Sequence, residues 1–150
     1  MKHPDNFKAL SIEINNTNQV VYKYYEQKGE SFSIFKISGE IPDGSAGKEV
    51  GLYIYQKLAL AILTHQPNAV LVDLSEFTYN YGTAIMAFLE TFSTIRIFGE
   101  DDVLSAFILS DKNKYGIASL CNFNVENPRL PFFTDFEKGY TYLYTEYDKI

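Results

Sequence analysis

Ala69-Val70-Leu71-Val72-Asp73-Leu74 is the stretch that decides the fold. It is apolar at almost every position rather than at every second one, and it is rich in branched side chains. Such a run is too short for a helix of its own and marks a strand buried on both faces. The sequence on either side has a different period. Upstream, Ala46, Val50, Ile54, Leu58, Ala61 and Ile62 recur at three- and four-residue spacing. That spacing predicts a helix over Ser45–His65, with Ser45 able to cap it and Pro67 stopping it. Downstream, a polar-aromatic loop over Ser75–Tyr81 leads into a second helix over about Gly82–Ile97, with Ile85, Phe88, Leu89, Phe92 and Ile95 on one stripe.

The alternation continues. Val103–Leu109 repeats the buried-strand pattern, Asp111–Cys121 is a weaker helix with Gly116 inside it, and Leu130–Phe133 is a short strand. Thr134-Asp135-Phe136-Glu137 has the form of a capping box, in which Thr134 accepts from the Glu137 amide and Glu137 reaches back. On that reading, replacing Thr134 with Ala costs about 0.5–2 kcal/mol. Phe136, Tyr140, Leu143, Tyr144 and Tyr147 follow on one face of a last helix.

The N-terminal third has strand character. Phe7–Ile14 is short and partly alternating, Val20–Tyr25 is β-branched and aromatic, and Ser31–Ser38 alternates. Gln27–Glu30 supplies a turn, so the last two strands form a hairpin. Three strands followed by helix–strand–helix–strand–helix–strand–helix describe an α/β fold with a mixed sheet, with helices packed against it through right-handed crossovers.

Composition bounds the function. The 150 residues suit a single domain, and 46% hydrophobic with 21% charged residues is ordinary globular usage. There are 12 Tyr, 12 Phe and no Trp. The net charge of −6 opposes a phosphate-backbone binder. Residues 1–75 carry 7 basic and 8 acidic side chains, whereas residues 76–150 carry 6 and 11, so the acidity is mostly C-terminal. Glu100-Asp101-Asp102 reads as a solvated turn. Met1–Val20 holds no apolar run of signal length, and the longest apolar run, Leu58–Leu63, is far short of the ~20 residues of a membrane span. The expectation is a soluble, cytoplasmic chain without membrane insertion.

Motifs for chemistry are sparse. Gly44-Ser45-Ala46-Gly47-Lys48 looks phosphate-friendly, but Glu49 follows Lys48 and the first glycine of a P-loop is missing. Tyr53 and Lys57 have the spacing of a short-chain dehydrogenase pair without a Gly-rich dinucleotide turn. His3 and His65 are the two histidines, with no third ligand, and His65 falls at a helix end. Cys121 is alone and is expected to be a buried apolar residue. Asp73 has two readings, a carboxylate at the carboxyl end of a strand or a cap of the following loop. No acid–base pair is evident, so catalytic residues, cofactor and metal are all expected to be absent.

Residues 31–147 resemble the STAS domain, the family of anti-sigma factor antagonists and of stressosome and transporter-tail modules. Four segments carry the resemblance in order: Ile37-Ser38-Gly39-Glu40-Ile41, the Ser45–His65 helix, Val70-Leu71-Val72-Asp73-Leu74-Ser75-Glu76-Phe77-Thr78-Tyr79, and Leu130–Tyr140. The resemblance implies a STAS-like single domain over 1–150, with residues 1–30 an added N-terminal strand extension and about four helices mainly on one face of a mixed sheet. It also implies a non-enzymatic protein-interaction role in bacterial signalling, with a kinase, an anti-sigma factor or another signalling protein as partner. In the antagonists, the loop after the Asp-Leu strand reads Asp-Ser-Ser-Gly-Leu, and its first Ser is phosphorylated. Counted from Asp73, the matching residues are Tyr81, Gly82, Thr83, Ala84 and Ile85. The phosphorylated Ser falls on Gly82, so the usual switch cannot operate here.

Two readings of the loop stand. Tyr79, Asn80, Tyr81, Gly82 and Thr83 form a docking surface, with Thr83 the phosphorylation candidate. Alternatively, Gly82 makes the turn and Thr83 caps the helix. A small-ligand or lipid-binding protein of related α/β fold, with an aromatic-lined cavity behind the second helix, is the alternative function. The hydrophobic stretch at 20–26 offers a homodimer through a sheet edge, and Lys23 and Glu26 are charges that would block it.

Overall fold

A computed structural model describes residues 19–27, 31–94 and 103–149. The expected strand Phe7–Ile14, most of the N-terminal extension, His3, the turn residues 28–30, Ile95–Ile97 and the Glu100–Asp102 charge run lie outside the described residues.

The elements in chain order are β1 (Val20–Glu26), β2 (Phe32–Glu40), a 3-10 turn (Gly44–Gly47), α1 (Lys48–His65), β3 (Ala69–Thr78), α2 (Met86–Leu89), α3 (Thr91–Thr94), β4 (Leu104–Ile108), α4 (Lys114–Cys121), β5 (Phe132–Phe133) and α5 (Phe136–Asp148). The sheet runs β1-β2-β3-β4-β5. β1 and β2 form the antiparallel hairpin, and β2, β3, β4 and β5 are parallel. The expected mixed α/β sheet is thus present.

The two faces of the sheet carry separate cores. Phe35, Ile37, Val70, Val72, Leu74 and Phe107 meet the helices α1 to α4 through Ile54, Leu58, Phe88, Phe92 and Ile117. On the reverse face, Phe32, Leu71, Ala106 and Ile108 meet α5 through Leu143. Ala69–Leu74 is buried throughout, as a strand covered on both sides must be. α5 takes the expected face: Phe32 contacts the rings of Tyr140, Tyr144 and Tyr147 at centroid distances of 5.5–5.9 Å. The Tyr147 hydroxyl lies 3.1 Å from the Ser31 amide and accepts from it.

Four expectations are corrected. The loop expected at Ser75–Tyr81 is strand as far as Thr78. The pairing shifts there, since Lys36 faces Asp73 while Ser38 faces Glu76, so β3 holds one more residue than β2 across this step. This bulge breaks the two-residue period and lets Leu74 and Phe77, three apart, enter the same core. Asp73 is buried, and its Oδ1 accepts from the Ser75 amide at 3.0 Å, inside the strand rather than in a loop.

The second helix is split into α2 and α3. Thr91 Oγ1 donates to the carbonyls of Phe88 at 2.8 Å and Ala87 at 3.3 Å, the back-bonding that competes with regular helix. Ser45 caps nothing: α1 is entered through a 3-10 turn, with no side-chain cap at Asp43 or Gly47. At α5 the cap is Asp135, not Thr134. Its carboxylate accepts from the amides of Glu137 at 2.8 Å and Lys138 at 3.3 Å.

A buried amide ties the carboxyl end of the sheet together. β4 pairs with β3 only along Ala69–Asp73, so the rest of β3 has no strand on that side. Asn113, 1% exposed, fills the place. Its Nδ2 donates to the carbonyls of Leu74 at 2.6 Å and Phe77 at 2.8 Å, and its Oδ1 accepts from the Ser110 amide at 3.1 Å.

Two stability predictions follow from these contacts. Asp135→Ala lowers stability by about 1 kcal/mol, while Thr134→Ala stays within about 0.5 kcal/mol of wild type. Urea denaturation of both variants checks this, and a larger loss from Thr134→Ala would restore the capping box. Asn113→Ala costs about 2–4 kcal/mol by leaving two buried carbonyls and the half-buried Ser110 amide without their partner. Asn113→Asp costs more, since it turns an anion towards two carbonyl oxygens. Equal stabilities in the same assay would show that the amide does not hold this edge.

Candidate functional site

The chains that leave β2, β3 and β4 emerge along the same carboxyl edge of the sheet, where α/β proteins place their sites. Residues 41–47 follow β2, 79–85 follow β3, and 109–113 follow β4. The backbone ties them. The Ile41 amide donates to Thr78 O at 3.1 Å, the Gly44 amide to Tyr81 O at 3.2 Å, and the Tyr79 amide to Lys112 O at 3.1 Å. Asn80 Nδ2 donates to Asp43 Oδ1 at 3.2 Å.

Two glycines make these approaches feasible. Gly82 has φ +115°, and a Cβ there would lie 2.9 Å from the Gly44 Cα and N. At Gly51, inside α1, a Cβ would collide with the Ala84 carbonyl. The turn after β3 therefore rests directly on the backbone of α1.

The five expected site residues divide by burial. Tyr79 is 3% exposed and Tyr81 is 63% exposed. The Tyr79 hydroxyl donates to the Gly82 carbonyl, so this ring supports the turn from below. Burial pushes the Tyr79 phenol above its ordinary value, with Cys121 adding to the effect. Tyr81, Asn80 and Thr83 face solvent, and Gly82 is half-buried. Thr83 does not cap a helix through its side chain. Its carbonyl accepts from the Met86 amide at 3.0 Å, and α2 begins at Met86 with no side-chain cap at Ile85. With only four residues, Met86–Leu89, α2 supplies little helix dipole to favour a negative charge at Thr83.

Two recesses flank the loop. On one side, a groove of about 320 Å³ lies between the start of α1 and the 83–87 segment. On the other, a crevice of about 120 Å³ is lined by Tyr79, Asn80, Asn113 and Tyr115, whose ring is 62% exposed. Sequence reasoning missed Asn113 and Gly51. Each looks like an ordinary turn or helix residue until the partner element is placed against it.

The remaining candidate groups lie elsewhere. His65 ends α1, stacks on Tyr24 at 4.8 Å and contacts Glu26 through Nδ1 at 2.9 Å. Lys57 lies over the Tyr53 ring at 5.5 Å. Burial disfavours the Cys121 thiolate and pushes the thiol up, outweighing the Arg129 charge, which acts the other way. Among the described residues, no group of three or more His, Cys, Asp and Glu side chains could hold a metal ion. No helix among them is long and apolar enough to cross a membrane.

No family model matches the chain. No curated protein matches it either. Its fold is similar to a solved one, the crystal structure of an anti-sigma factor antagonist from Mycobacterium paratuberculosis. The TM-score is 0.60 at 13% sequence identity, over 83% of this chain and 94% of that one. At that identity the likeness concerns the fold, which is the mixed α/β architecture of an anti-sigma factor antagonist.

Proposed function

We propose that the chain is a non-enzymatic, STAS-like protein-interaction module of bacterial signalling. It acts in the cytoplasm by partner switching, as anti-sigma factor antagonists do, and docks through residues 78–83 and the helix that follows. The observation that carries this reading is the presentation of Tyr81. Its ring is 63% exposed at the tip of a turn whose backbone is fixed on Gly44, Gly82 and α1. A large ring held outward by a rigid support suits an interface hot spot, because little side-chain and loop entropy is lost on binding. The side chains along this edge are the Asn80 amide, the Ser45 and Thr83 hydroxyls, small apolar groups, one carboxylate at Asp43 and one ammonium at Lys48, which suit a protein surface better than a nucleic-acid backbone. The partner is a kinase, an anti-sigma factor or another signalling protein.

Thr83 is the hydroxyl through which such a site would be regulated. It is exposed, and it lines the same groove as Lys48. A phosphoryl group there brings about −2 charges to the docking edge and an acceptor for the Lys48 ammonium.

A small-ligand or lipid carrier is the competing reading. Against it, Phe88 and Phe92 pack on Phe107 at centroid distances of 6.2 and 5.8 Å, filling the space behind α2. Native mass spectrometry of the purified chain with a retained small molecule would favour the carrier.

Capture of partners from the native host by wild type and Tyr81→Ala tests the docking edge. The expected result is at least a tenfold loss of the captured partner, by the usual magnitude of about 2 kcal/mol for a hot-spot ring, with an unchanged melting temperature. Full retention by a folded Tyr81→Ala would remove this edge from the interface. Phosphopeptide mapping under growth and stress tests Thr83, and a consistently unmodified peptide would end that part of the reading.

A further inference from the structure

The groove beside the loop has a composition of its own. Its floor is apolar, formed by Leu52, Ala84 and Ala87. Leu52 keeps 37% of its surface exposed on the second turn of α1. Lys48 supplies the single charge of the described lining, and Ser45 and Thr83 supply hydroxyls. The Lys48 side chain is exposed, and no carboxylate among the described residues pairs with it. Asp43 and Glu49 are near Lys48 in sequence but outside the described lining, and Asp43 accepts from the Asn80 amide at 3.2 Å. Among the described residues that line the groove the charge is therefore positive, in a chain of net charge −6.

We infer that this groove takes an acidic segment of the protein partner, with one aliphatic or aromatic side chain on Leu52, Ala84 and Ala87 and a carboxylate on Lys48. Charge complementarity selects this occupant. A basic segment would set its cation against Lys48 with no carboxylate in the described lining to receive it. A nucleic-acid backbone needs several cations along a track, whereas the described lining of this groove offers one. Ser45 and Thr83 can donate to the same carboxylate or to the backbone carbonyls beside it. The inference rests on the reading of this edge as a protein-docking site and adds the chemistry of what docks.

Panning a random peptide library displayed on phage over the folded full-length chain tests it. Enriched sequences should combine Asp or Glu with Leu, Ile or Phe. A synthetic peptide of the enriched sequence, followed by fluorescence anisotropy, should bind about tenfold more weakly to Lys48→Glu and to Leu52→Glu. Replacing its acids by Lys should restore binding to Lys48→Glu. Both substitutions are at exposed positions, and circular dichroism confirms that the variants fold. Enrichment of basic sequences, no enrichment, or binding insensitive to both variants would overturn the inference. Partner capture separates the two readings. If Tyr81→Ala loses the partner while Lys48→Glu keeps it, the docking edge stands and the acidic occupant falls. If neither variant loses it, both fall.

Discussion

The carboxyl edge of the sheet depends on one buried amide. β3 is ten residues long, and β4 covers only its first half. Past Asp73, the β4-facing carbonyls of β3 would enter the core unpaired, at a cost of about 1–3 kcal/mol each. Asn113 meets two of them with one NH₂ group, and its carbonyl takes the Ser110 amide in return. With the Tyr79 amide on Lys112 O, the turn after β4 acts as a missing strand. That arrangement lets β3 run on, places Tyr79 inside and sets Tyr81 at the tip. The contacts of the proposed docking edge are built on a β3 that ends at Thr78.

The aromatic residues divide between cohesion and display. Phe107 lies at the centre of one core, against Phe88, Phe92 and Phe132, and Phe32 lies at the centre of the other, under three tyrosines of α5. Tyrosine suits the α5 interface because its half-buried ring packs on the core while its hydroxyl reaches the rim, as Tyr147 does at the Ser31 amide. Gly139 belongs to the same interface, since a Cβ there would strike the Ile108 Cδ1. Against this background the exposure of Tyr81 and Tyr115 is informative, because neither ring is needed by a core.

The layering of the chain was legible because period and burial agree. Ala69–Leu74 is apolar throughout and is covered on both faces, and the 3.6-residue stripe of α1 is buried through Val50, Ile54, Leu58 and Ile62. Legibility failed where a local rule met a tertiary contact. Ser75 and Glu76 look like a loop because a bulge breaks the alternation there. The helix after β3 has an unbroken apolar stripe, and its break at Glu90 comes from the hydroxyl of Thr91. Thr134 and Asp135 are both good caps, and the choice between them depends on where β5 releases the chain. Of the candidate site, the position of the loop and the exposed Tyr81 were within reach of the sequence. The burial of Tyr79 was not, because it requires α4, with Gly116, to lie against Asn80.

How the proposed docking edge would transmit a signal follows from how it is held. Gly82 packs on Gly44, Gly51 on Ala84 and Gly116 on Asn80, each with no room for a Cβ. Three backbone-to-backbone contacts of this kind leave little slack for a loop that rearranges, since any shift of one turn must displace the other two. A switch of the kind that orders or melts a segment therefore suits this edge poorly. The dipole of α2 offers no strong lever either, because the helix is a single turn that starts three residues after Thr83. What can change at low cost is the chemistry of the exposed side chains: on the proposed reading, a charge added at Thr83, the freedom of the Lys48 ammonium, and access to the Tyr81 ring. A rigid surface whose charge is rewritten discriminates between partners by complementarity alone, which is sufficient for partner exchange without a change of shape.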